Sequence, residues 1–598
     1  MPAPIEDYAL LSSCRTAALV SREGSIDWLC VPRFDSPSIF GALLGDAEHG
    51  CWILRPTDAE ARSTRRYDGD TFILVTRWET VGGVAEVHDF MPIDGHRVDV
   101  VRRIIGISGT VDFTDTVRLR FDYARALPWM RKAPGMPLAI LGIAGPDAVV
   151  LRGAPLQAVD HAHSAQIVVS AGETVDLSLT WFKSHHEVPE PLDVDDSLAA
   201  TRAWWQDWAD RIDHHGPHHD AVVRSLLVLR ALTHESTGGI VAAATTSLPE
   251  DFGGARNWDY RYVWLRDAAL TLETLIEHGF TRAAERWRGW LLRAIAGDPA
   301  DVQIMYGAAG ERDLAERVID SLPGYGGASP VRIGNGAVSQ YQADVIGEVM
   351  VALEATRMAG VEEDSFSWPL QRALLSQVVE WVDRSDHGIW EIRAEERMFT
   401  HSRVMIWAAL DRGVRAVRES GLDDDGDVEE WERLRERVRG EVEERGFDAE
   451  RGCFVQYYGS TEVDASLLLI PQVGFCGYDD PRMLGTVAEI ERTLLRDGLV
   501  RRYRTEADVD GLAGDENPFL ACSFWLVEQY AGSGRIDDAK ALMADLVGLA
   551  NDLGLLSEEY DVGRRRQAGN TPQALTHLAL VRAADALVGH VGRAALRR

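Results

Sequence analysis

Long hydrophobic runs are missing from this sequence, and none of its apolar stretches is long enough to span a bilayer. Residues 1–8 show no basic region followed by an apolar one, so no secretory signal is expected. The six cysteines include no C-x-x-C pair, which argues against a disulfide framework and a zinc site. We therefore expect a soluble, cytoplasmic protein. Its expected buried thiols are Cys14, Cys30, Cys51, Cys453, Cys476 and Cys522.

Positive charge is also scarce. The chain has 62 Lys and Arg against 94 Asp and Glu, which gives a net charge of -32. Such a surface repels nucleic acid and anionic membranes, so we expect neither as a partner. A neutral small molecule is the better expectation for a ligand. The sequence gives no expectation for the oligomeric state.

Clusters of metal ligands are nearly absent as well. The one candidate is the His-rich segment 213–220, which is short and is interrupted by Gly216 and Pro217. We interpret it as a polar linker rather than a metal site. The sequence therefore predicts no metal and no cofactor.

Length and periodicity predict two domains with a linker between them. Residues 1–195 are expected to form an antiparallel β-sandwich, because short β-branched or alternating runs are separated by turn residues. A linker helix and loop are expected over 196–220, with Trp204, Trp205 and Trp208 on one side of the helix, and this tryptophan face is expected to dock onto a neighbouring element. The segment 24–37 is interpreted as a loop at the domain interface. The predicted strands cover 71–78, 98–105, 117–121 and 166–169.

Residues 221–598 show the period of helices. Helix pairs that close into a ring would give an (α/α)6 barrel, with the connecting loops at one mouth. An open helical solenoid is the alternative, although no fixed-period repeat supports it. The predicted helices cover 221–235, 268–279, 281–296, 339–360, 368–383, 402–420, 428–446, 482–497, 518–531, 536–552 and 572–591.

The segment 257–267 is the most unusual stretch of the chain, because aromatic residues fall at every second position from 258 to 264, with Asp259 and Arg261 between them. This alternation predicts an extended conformation. Aromatic rings beside Arg and Asp suit a sugar, whose C–H faces and hydroxyls they would cover and bind. A buried aromatic cluster with satisfied ion pairs is the alternative reading.

Two acidic loop segments are candidates for chemistry. Glu391 follows Trp390, and a carboxyl beside an indole has a raised pKa that keeps it a proton donor. Glu558 and Glu559 lie in the acidic segment 556–561. Solvated surface acids are the alternative at both places. If Glu391 faces one of the other two, the pair has the arrangement used in glycoside hydrolysis.

A third polar turn, 514–519, predicts a helix start with Asn517 as N-cap and Pro518 at the first helical position.

Several motifs together resemble glycoside hydrolase family 15, which includes glucoamylases, glucodextranase-like enzymes and actinobacterial trehalases. They cover both predicted domains in the same order. The resemblance implies an N-terminal β-sandwich followed by an (α/α)6 barrel. It also implies an inverting exo-hydrolase that releases a terminal α-linked glucose as the β anomer. The matching segments are 24–37, 245–250, 256–268, 388–391, 516–519, 557–561 and 569–577.

The resemblance also implies roles for individual residues. It makes Glu391 the general acid and Glu558 the general base, whereas Arg266 and Asp267 hold hydroxyls of the terminal glucose. It places Tyr260 near the reacting centre and Arg502 beside the scissile bond. Asp267 could also be the N-cap of a helix that begins at Ala268. The predicted substrate-binding residues are Trp258, Tyr260, Arg266, Asp267, Trp390, Glu559 and Arg502.

Two segments depart from the family pattern, namely Thr571 and 339–344, so the sequence does not decide how the leaving group is bound. Trehalose, maltose, isomaltose and longer dextrins remain open as substrates. A glucosyltransferase or an inverting phosphorylase is an alternative, although a second carboxylate would repel phosphate. A non-catalytic carbohydrate-binding protein is the alternative from another class.

Overall fold

A computed structural model describes residues 2–93, 95, 97–423, 425–505, 511, 514 and 516–589. Asp515 and the last two positions of the helix predicted over 572–591 lie outside the described residues. The chain begins with β-strands and continues with helices, as the sequence predicts. No helix within the described ranges has the length and apolar character needed to cross a bilayer.

The N-terminal part consists of antiparallel strands, because its short apolar and β-branched runs alternate with turns. The predicted strands over 71–78, 98–105 and 166–169 overlap β7, β9 and β14. The run 117–121 is instead the end of β9 and is in a strand only as far as Arg118. The strands are β1 Tyr8–Ser12, β2 Ala17–Ser21, β3 Ser25–Cys30, β4 Ser38–Phe40, β5 Cys51–Pro56, β6 Arg62–Tyr67, β7 Leu74–Glu79, β8 Gly83–Phe90, β9 Val98–Arg118, β10 Trp129–Lys132, β11 Ala139–Ala144, β12 Asp147–Arg152, β13 Gln157–Val159, β14 Ala162–Ser170 and β15 Thr174–Lys183.

Strand β9 joins two sheets. Its first half pairs with β8 and β15, and its second half pairs with β5 and β14. The change of partner occurs at Gly109, which has φ +63° and pairs with Gly83, whereas Thr110 pairs with Ser170. A Cβ at Gly109 would lie 2.2 Å from the carbonyl oxygen of Gly82, so this crossing requires glycine.

The helices of the second part lie close to their predicted positions. They are α1 Val194–Ala209, α2 His219–Ala231, α3 Leu265–Glu277, α4 Thr281–Ala294, α5 Asp344–Met358, α6 Ser367–Glu380, α7 Thr400–Arg418, α8 Val428–Arg445, α9 Pro481–Thr493, α10 Leu520–Gly532, α11 Ile536–Val547 and α12 Ala574–Leu587. Short antiparallel pairs lie in the loops: β16 Val263–Trp264 with β17 Met305–Tyr306, β18 Arg317–Val318 with β19 Arg332–Ile333, β20 Phe447–Asp448 with β21 Cys453–Phe454, β22 Leu495–Arg496 with β23 Leu499–Val500, and β24 Glu559–Asp561 with β25 Arg566–Ala568.

Six helical segments form the inner ring of the barrel in the part of the chain that the structure describes. Helix α3 packs against α5, α5 against α7, and α7 against a 3-10 helix over Ala465–Val473. That 3-10 helix packs against α10, α10 against α12, and α12 closes the ring on α3. The ring confirms the (α/α)6 barrel and rules out the open solenoid.

The sequence did not predict the 3-10 helix Ala465–Val473. It is a short apolar run, all of it buried, and Pro471 lies inside it. A short run without a polar face carries no period, so sequence patterns cannot assign it.

The predicted helix start at Pro518 was also wrong. Asn517 is not the N-cap, because Phe519 stays extended and pairs with Glu559, and α10 begins only at Leu520.

The two parts of the chain meet along the segment 257–267. The indole of Trp28 in β3 donates to the carbonyl oxygen of Ala244 (2.9 Å). Arg261 donates to the carbonyl oxygen of Ser36 and to the hydroxyl of Tyr123, each at 2.9 Å. The prediction that 24–37 packs on this interface is confirmed, although Ser25–Cys30 is a strand rather than a loop.

The His-rich segment connects α1 to α2. His214 contacts Asp585 (3.3 Å), and the same carboxylate contacts His278 (3.1 Å). Trp208 of α1 stacks on Phe280, with ring centroids 4.2 Å apart, so the predicted docking of the tryptophan face is confirmed. The described residues contain no group of three or more His, Cys, Asp or Glu side chains that could hold a metal ion.

Candidate active site

The segment 257–264 runs alongside 242–247 as an extended ribbon. The N–H groups of Ser247, Ala243 and Ala242 donate to the carbonyl oxygens of Trp258, Tyr260 and Tyr262 (each 2.9 Å). Successive side chains of such a ribbon point to opposite sides. The two readings of the segment apply to different residues, because some of its side chains line cavities and others are buried away from them.

Asp259, Arg261 and Tyr262 are buried and line neither of the cavities described below, although Tyr262 has the same register as Tyr260. Arg261 makes a fully buried ion pair with Asp259 (2.7 Å). The hydroxyl of Tyr262 accepts from the N–H of Gly334 (3.1 Å). The reading of a buried aromatic cluster with satisfied ion pairs therefore applies to these three residues.

The ribbon ends where α3 begins, and this corrects the expectation for Asp267. The N-cap of α3 is Trp264, which is still extended because Val263 and Trp264 pair with β17. Asp267 lies within the first turn of α3, where a carboxylate is favourable beside the helix N-terminus. It is therefore not an N-cap, and its Oδ1 accepts from Arg266 (3.2 Å).

Two adjoining cavities open at this mouth of the barrel, and they share Tyr260, Trp390, Glu391 and Arg502. We name them by a residue that lines only one of them. The Arg266 cavity is lined by Ala242, Tyr260, Trp264, Arg266, Asp267, Ile389, Trp390, Glu391, Arg502, Phe519, Gln573 and Leu575. The Trp258 cavity is lined by Glu250, Arg256, Trp258, Tyr260, Asn335, Ala337, Trp390, Glu391, Arg393, Arg502 and Tyr503.

Glu391 lines both cavities and lies in a tight turn with φ +56°. A non-glycine residue in this region is strained, and such strain often marks a functional site. Its Oε1 accepts from the indole of Trp264 (2.9 Å) and from Arg266 (3.4 Å). Burial raises the pKa of Glu391, whereas Arg266 lowers it. The raised pKa agrees with the prediction, but the indole in contact is that of Trp264, since Trp390 donates to Asp464 (3.2 Å).

The segment 339–344, which departs from the family pattern, supports Glu391 and Arg266. The side chain of Gln340 donates to the carbonyl oxygen of Glu391 (3.1 Å). Gln342 donates to Gln340 (3.3 Å) and accepts from Arg266 (3.1 Å). Asp344 also pairs with Arg266 (3.5 Å). Sequence reasoning missed these supports, and the polar run immediately before the apolar helix α5 is the signal that could have indicated them.

Glu558 precedes β24 and is almost fully buried. Its Oε1 accepts from the hydroxyl of Tyr260 (2.6 Å), and its Oε2 accepts from the N–H of Asn570 (3.3 Å). Burial raises the pKa of Glu558, and the carboxylate of Glu250 raises it further, whereas Arg502 lowers it. Tyr260 lines both cavities and its ring meets that of Trp264 edge to face at 5.4 Å. Glu558 and Glu391 are thus connected through two neighbouring rings.

Gly569 provides the space for the side chain of Glu558. Its φ is +74°, and a Cβ there would lie 2.6 Å from Glu558 Oε2. Gly534 has a similar φ of +87°, but no atom lies within 4 Å of its position for a Cβ. The two glycines therefore separate the effect of steric contact from that of backbone conformation.

The resemblance makes Glu558 the general base, and a displacement of about 1 Å in such a group lowers the rate ~100-fold, so we expect Gly569→Ala to lower kcat by that factor. Gly534→Ala is the matched control and should leave kcat unchanged. Both substitutions should lower the free energy of unfolding by ~1–2 kcal/mol, the cost of left-handed backbone, and Gly569→Ala should lower it further because of its contact with Glu558. Steady-state kinetics and urea unfolding measure the two effects. Equal kcat values for the two variants would show that Gly569 does not position Glu558.

A cluster of buried carboxyls surrounds Arg502. Arg502 donates to Glu516, to Glu250 (3.0 Å) and to Glu559 (3.3 Å). Burial raises the pKa of both Glu516 and Glu559. Burial also raises the pKa of the neighbouring Glu558. Sequence reasoning did not identify Glu250 as part of this site.

The structure brings most of the predicted site residues together. The guanidinium groups of Arg393 and Arg332 lie 4.1 Å and 4.6 Å from the ring centroid of Trp258. Glu559 is fully buried and borders neither cavity, so its contact with the site runs through Arg502. Thr571 also borders neither cavity, and its N–H donates to Thr245 (3.0 Å).

Comparison with known proteins gives the family of this chain. A sequence profile described as "Glycosyl hydrolases family 15" matches residues 216–585, and one described as "Trehalase-like, N-terminal" matches residues 1–186. The chain belongs to glycosyl hydrolases family 15. The resemblance inferred from its motifs is confirmed, and this family 15 member is a glycoside hydrolase.

The family 15 chain is similar to curated proteins along almost its whole length. It is 37% identical to a trehalase of Mycolicibacterium smegmatis over 623 residues, covering 99% of this chain and 92% of the relative. It is 36% identical to a trehalase of Mycobacterium tuberculosis, covering 99% and 90%. It is 35% identical to a trehalase of Thermoplasma acidophilum, covering 95% and 98%.

A solved structure matches the fold of the family 15 chain. A bacterial glucoamylase complexed with acarbose superposes with a TM-score of 0.75, covering 100% of this chain and 95% of the other at 12% identity. At this identity the match concerns the fold alone. The predicted order of an N-terminal antiparallel β domain and an (α/α)6 barrel is thereby confirmed.

Proposed function

We propose that this enzyme hydrolyses trehalose to two molecules of glucose with inversion at the attacked carbon. The observation that carries the proposal is a pair of adjoining cavities that share Glu391, with Glu558 reached through Tyr260. Two cavities at one acidic group match the two rings of a disaccharide. The trehalases named above, which align over almost the whole chain, support this choice of linkage.

In the proposed reaction, one glucose occupies the Arg266 cavity, where Arg266 and Asp267 bind its hydroxyls. Glu391 donates its proton to the glycosidic oxygen as the bond from C1 to that oxygen breaks. Glu558 takes a proton from a water molecule whose oxygen forms the new bond to C1 from the opposite face. The rings of Tyr260 and Trp264 line the Arg266 cavity, where they would stabilise the oxocarbenium charge by cation–π attraction.

The products distinguish this reaction from its alternatives. The attacked glucose of trehalose would leave as the β anomer, whereas the leaving glucose keeps its α configuration. We therefore expect equal amounts of α- and β-glucose in early NMR spectra. Two α-glucose molecules would indicate a retaining enzyme, and glucose 1-phosphate formed in phosphate buffer would indicate a phosphorylase.

A panel of α-glucosides tests the linkage. Trehalose should have the highest kcat/KM when it is compared with maltose, isomaltose and longer dextrins. A higher value for another linkage would refute trehalose as the substrate. Binding of sugar without turnover, measured by calorimetry, would favour a carbohydrate-binding protein instead.

We expect Glu250→Gln to move the acid limb of the pH profile of kcat/KM to lower pH. Because Glu558 must be ionised to accept a proton, activity is lost as the pH falls through its pKa. The carboxylate of Glu250 raises that pKa, so its removal lowers it and activity should persist to lower pH. The profile should be measured with trehalose under conditions where substrate is far below KM. An unchanged acid limb would contradict this electrostatic effect.

A further inference from the structure

Glu250 is a buried carboxylate at the wall of the Trp258 cavity whose backbone is held in place. It follows the ribbon segment 242–247 and is 1% exposed. Its N–H donates to the carbonyl oxygen of Arg256 (2.9 Å), and its own carbonyl oxygen accepts from the side chain of Asn517 (2.6 Å). These contacts fix the direction from which the side chain enters the cavity wall.

The two oxygens of the Glu250 carboxylate differ in their contacts. Oε2 accepts from Arg502 at 3.0 Å. Oε1 is buried and has no hydrogen-bond partner among the described residues. Leaving such an acceptor unsatisfied is costly, and buried polar atoms in folded proteins nearly always have a partner. Because Glu250 lines the Trp258 cavity, a ligand in that cavity is placed to supply the missing donor.

We propose that Glu250 binds a hydroxyl group of the leaving sugar and thereby determines the enzyme's preference for a sugar as leaving group. This inference rests on the proposed function, which places the second glucose in the Trp258 cavity. The hydroxyl donates to Oε1, and Arg502 holds Oε2, so the carboxylate is oriented before the substrate arrives. A site built to bind a hydroxyl discriminates strongly against a ligand that lacks it.

The test compares two substrates with Glu250→Gln. Trehalose has a leaving glucose, whereas α-glucosyl fluoride has a leaving fluoride without any hydroxyl. We expect Glu250→Gln to lower kcat/KM for trehalose by ~10–100-fold, the effect of removing a hydrogen bond to a charged group. The value for α-glucosyl fluoride should stay within about twofold of wild type. Each variant is measured at the plateau of its own pH profile, so that the titration of Glu558 does not enter.

Glu559→Gln is the matched control variant. Glu559 also pairs with Arg502 (3.3 Å) but borders neither cavity. Its substitution weakens the hold on Arg502 to a similar extent without touching the leaving sugar. It should therefore change kcat/KM for the two substrates by the same factor.

The possible outcomes separate the two proposals. If Glu250→Gln lowers kcat/KM equally for both substrates, or leaves kcat/KM for trehalose unchanged, the role of Glu250 in binding the leaving sugar is refuted. If the wild-type enzyme cleaves another α-glucoside in place of trehalose, the substrate proposal fails alone. The same comparison, made with that glucoside and α-glucosyl fluoride, then decides the role of Glu250.

Discussion

Glu391→Gln is expected to lower kcat for trehalose by ~1,000-fold or more, since general acid catalysis contributes up to about 10⁴-fold. Gln has no proton to give, so the leaving glucose would have to depart as an alkoxide. The side chain keeps its shape, and its amide oxygen can still accept from Trp264. The fold should therefore persist, which a thermal unfolding curve close to that of wild type would show.

α-Glucosyl fluoride identifies the role of Glu391. Fluoride leaves without protonation, so Glu391→Gln should hydrolyse this substrate far better, relative to wild type, than it hydrolyses trehalose. If kcat falls by the same factor for both substrates, Glu391 is not the proton donor. This control works in the same protein and does not depend on a second substitution.

Glu558→Gln is expected to lower kcat by ~1,000-fold or more for both substrates. Without the carboxylate, no group removes the proton from the attacking water, and a better leaving group does not replace that step. The hydroxyl of Tyr260 can still donate to the amide oxygen of Gln, so the local structure should remain. With α-glucosyl fluoride as substrate, Glu391→Gln should therefore regain activity, whereas Glu558→Gln should not.

An added nucleophile provides the second measurement for Glu558. Azide attacks without losing a proton, so azide should restore turnover of α-glucosyl fluoride by Glu558→Ala, whose shorter side chain leaves room for it. Attack from the face opposite to the fluoride gives β-glucosyl azide. Substantial hydrolysis by Glu558→Gln, or formation of the α azide, would contradict its assignment as the base.

Sequence patterns predicted the long elements of this fold well, because a period repeated over several turns is a strong signal. They failed where pairing with a distant segment of the chain fixes the backbone conformation. Trp264 and Phe519 both remain extended because each pairs with a distant segment. The pairing of Phe519 delays the start of α10 to Leu520, whereas α3 begins at Leu265, before the position that Asp267 indicated.

The composition of the site was predicted in part. Glu391 and Glu558 are 167 positions apart (558 − 391), and only the closed ring of helices brings them to one mouth. Motif resemblance identified both residues, whereas spacing could not show that they meet. The roles of Gln340 and Glu250 depend on which atoms face each other across loops, and a sequence carries no pattern for such contacts.

The alternation along 258–264 has a consequence for how this enzyme can be altered. Tyr260 faces the substrate cavities, while its neighbour Arg261 is bonded to Ser36 and Tyr123 of the N-terminal domain. One side of this extended segment thus faces the cavities of the barrel, and its other side contacts the N-terminal domain. Exchanging the N-terminal domain for that of a relative would remove the partners of Arg261 and so change the support of the segment that carries Tyr260. We therefore expect that neither domain of this protein can be exchanged without altering the cavities of the barrel.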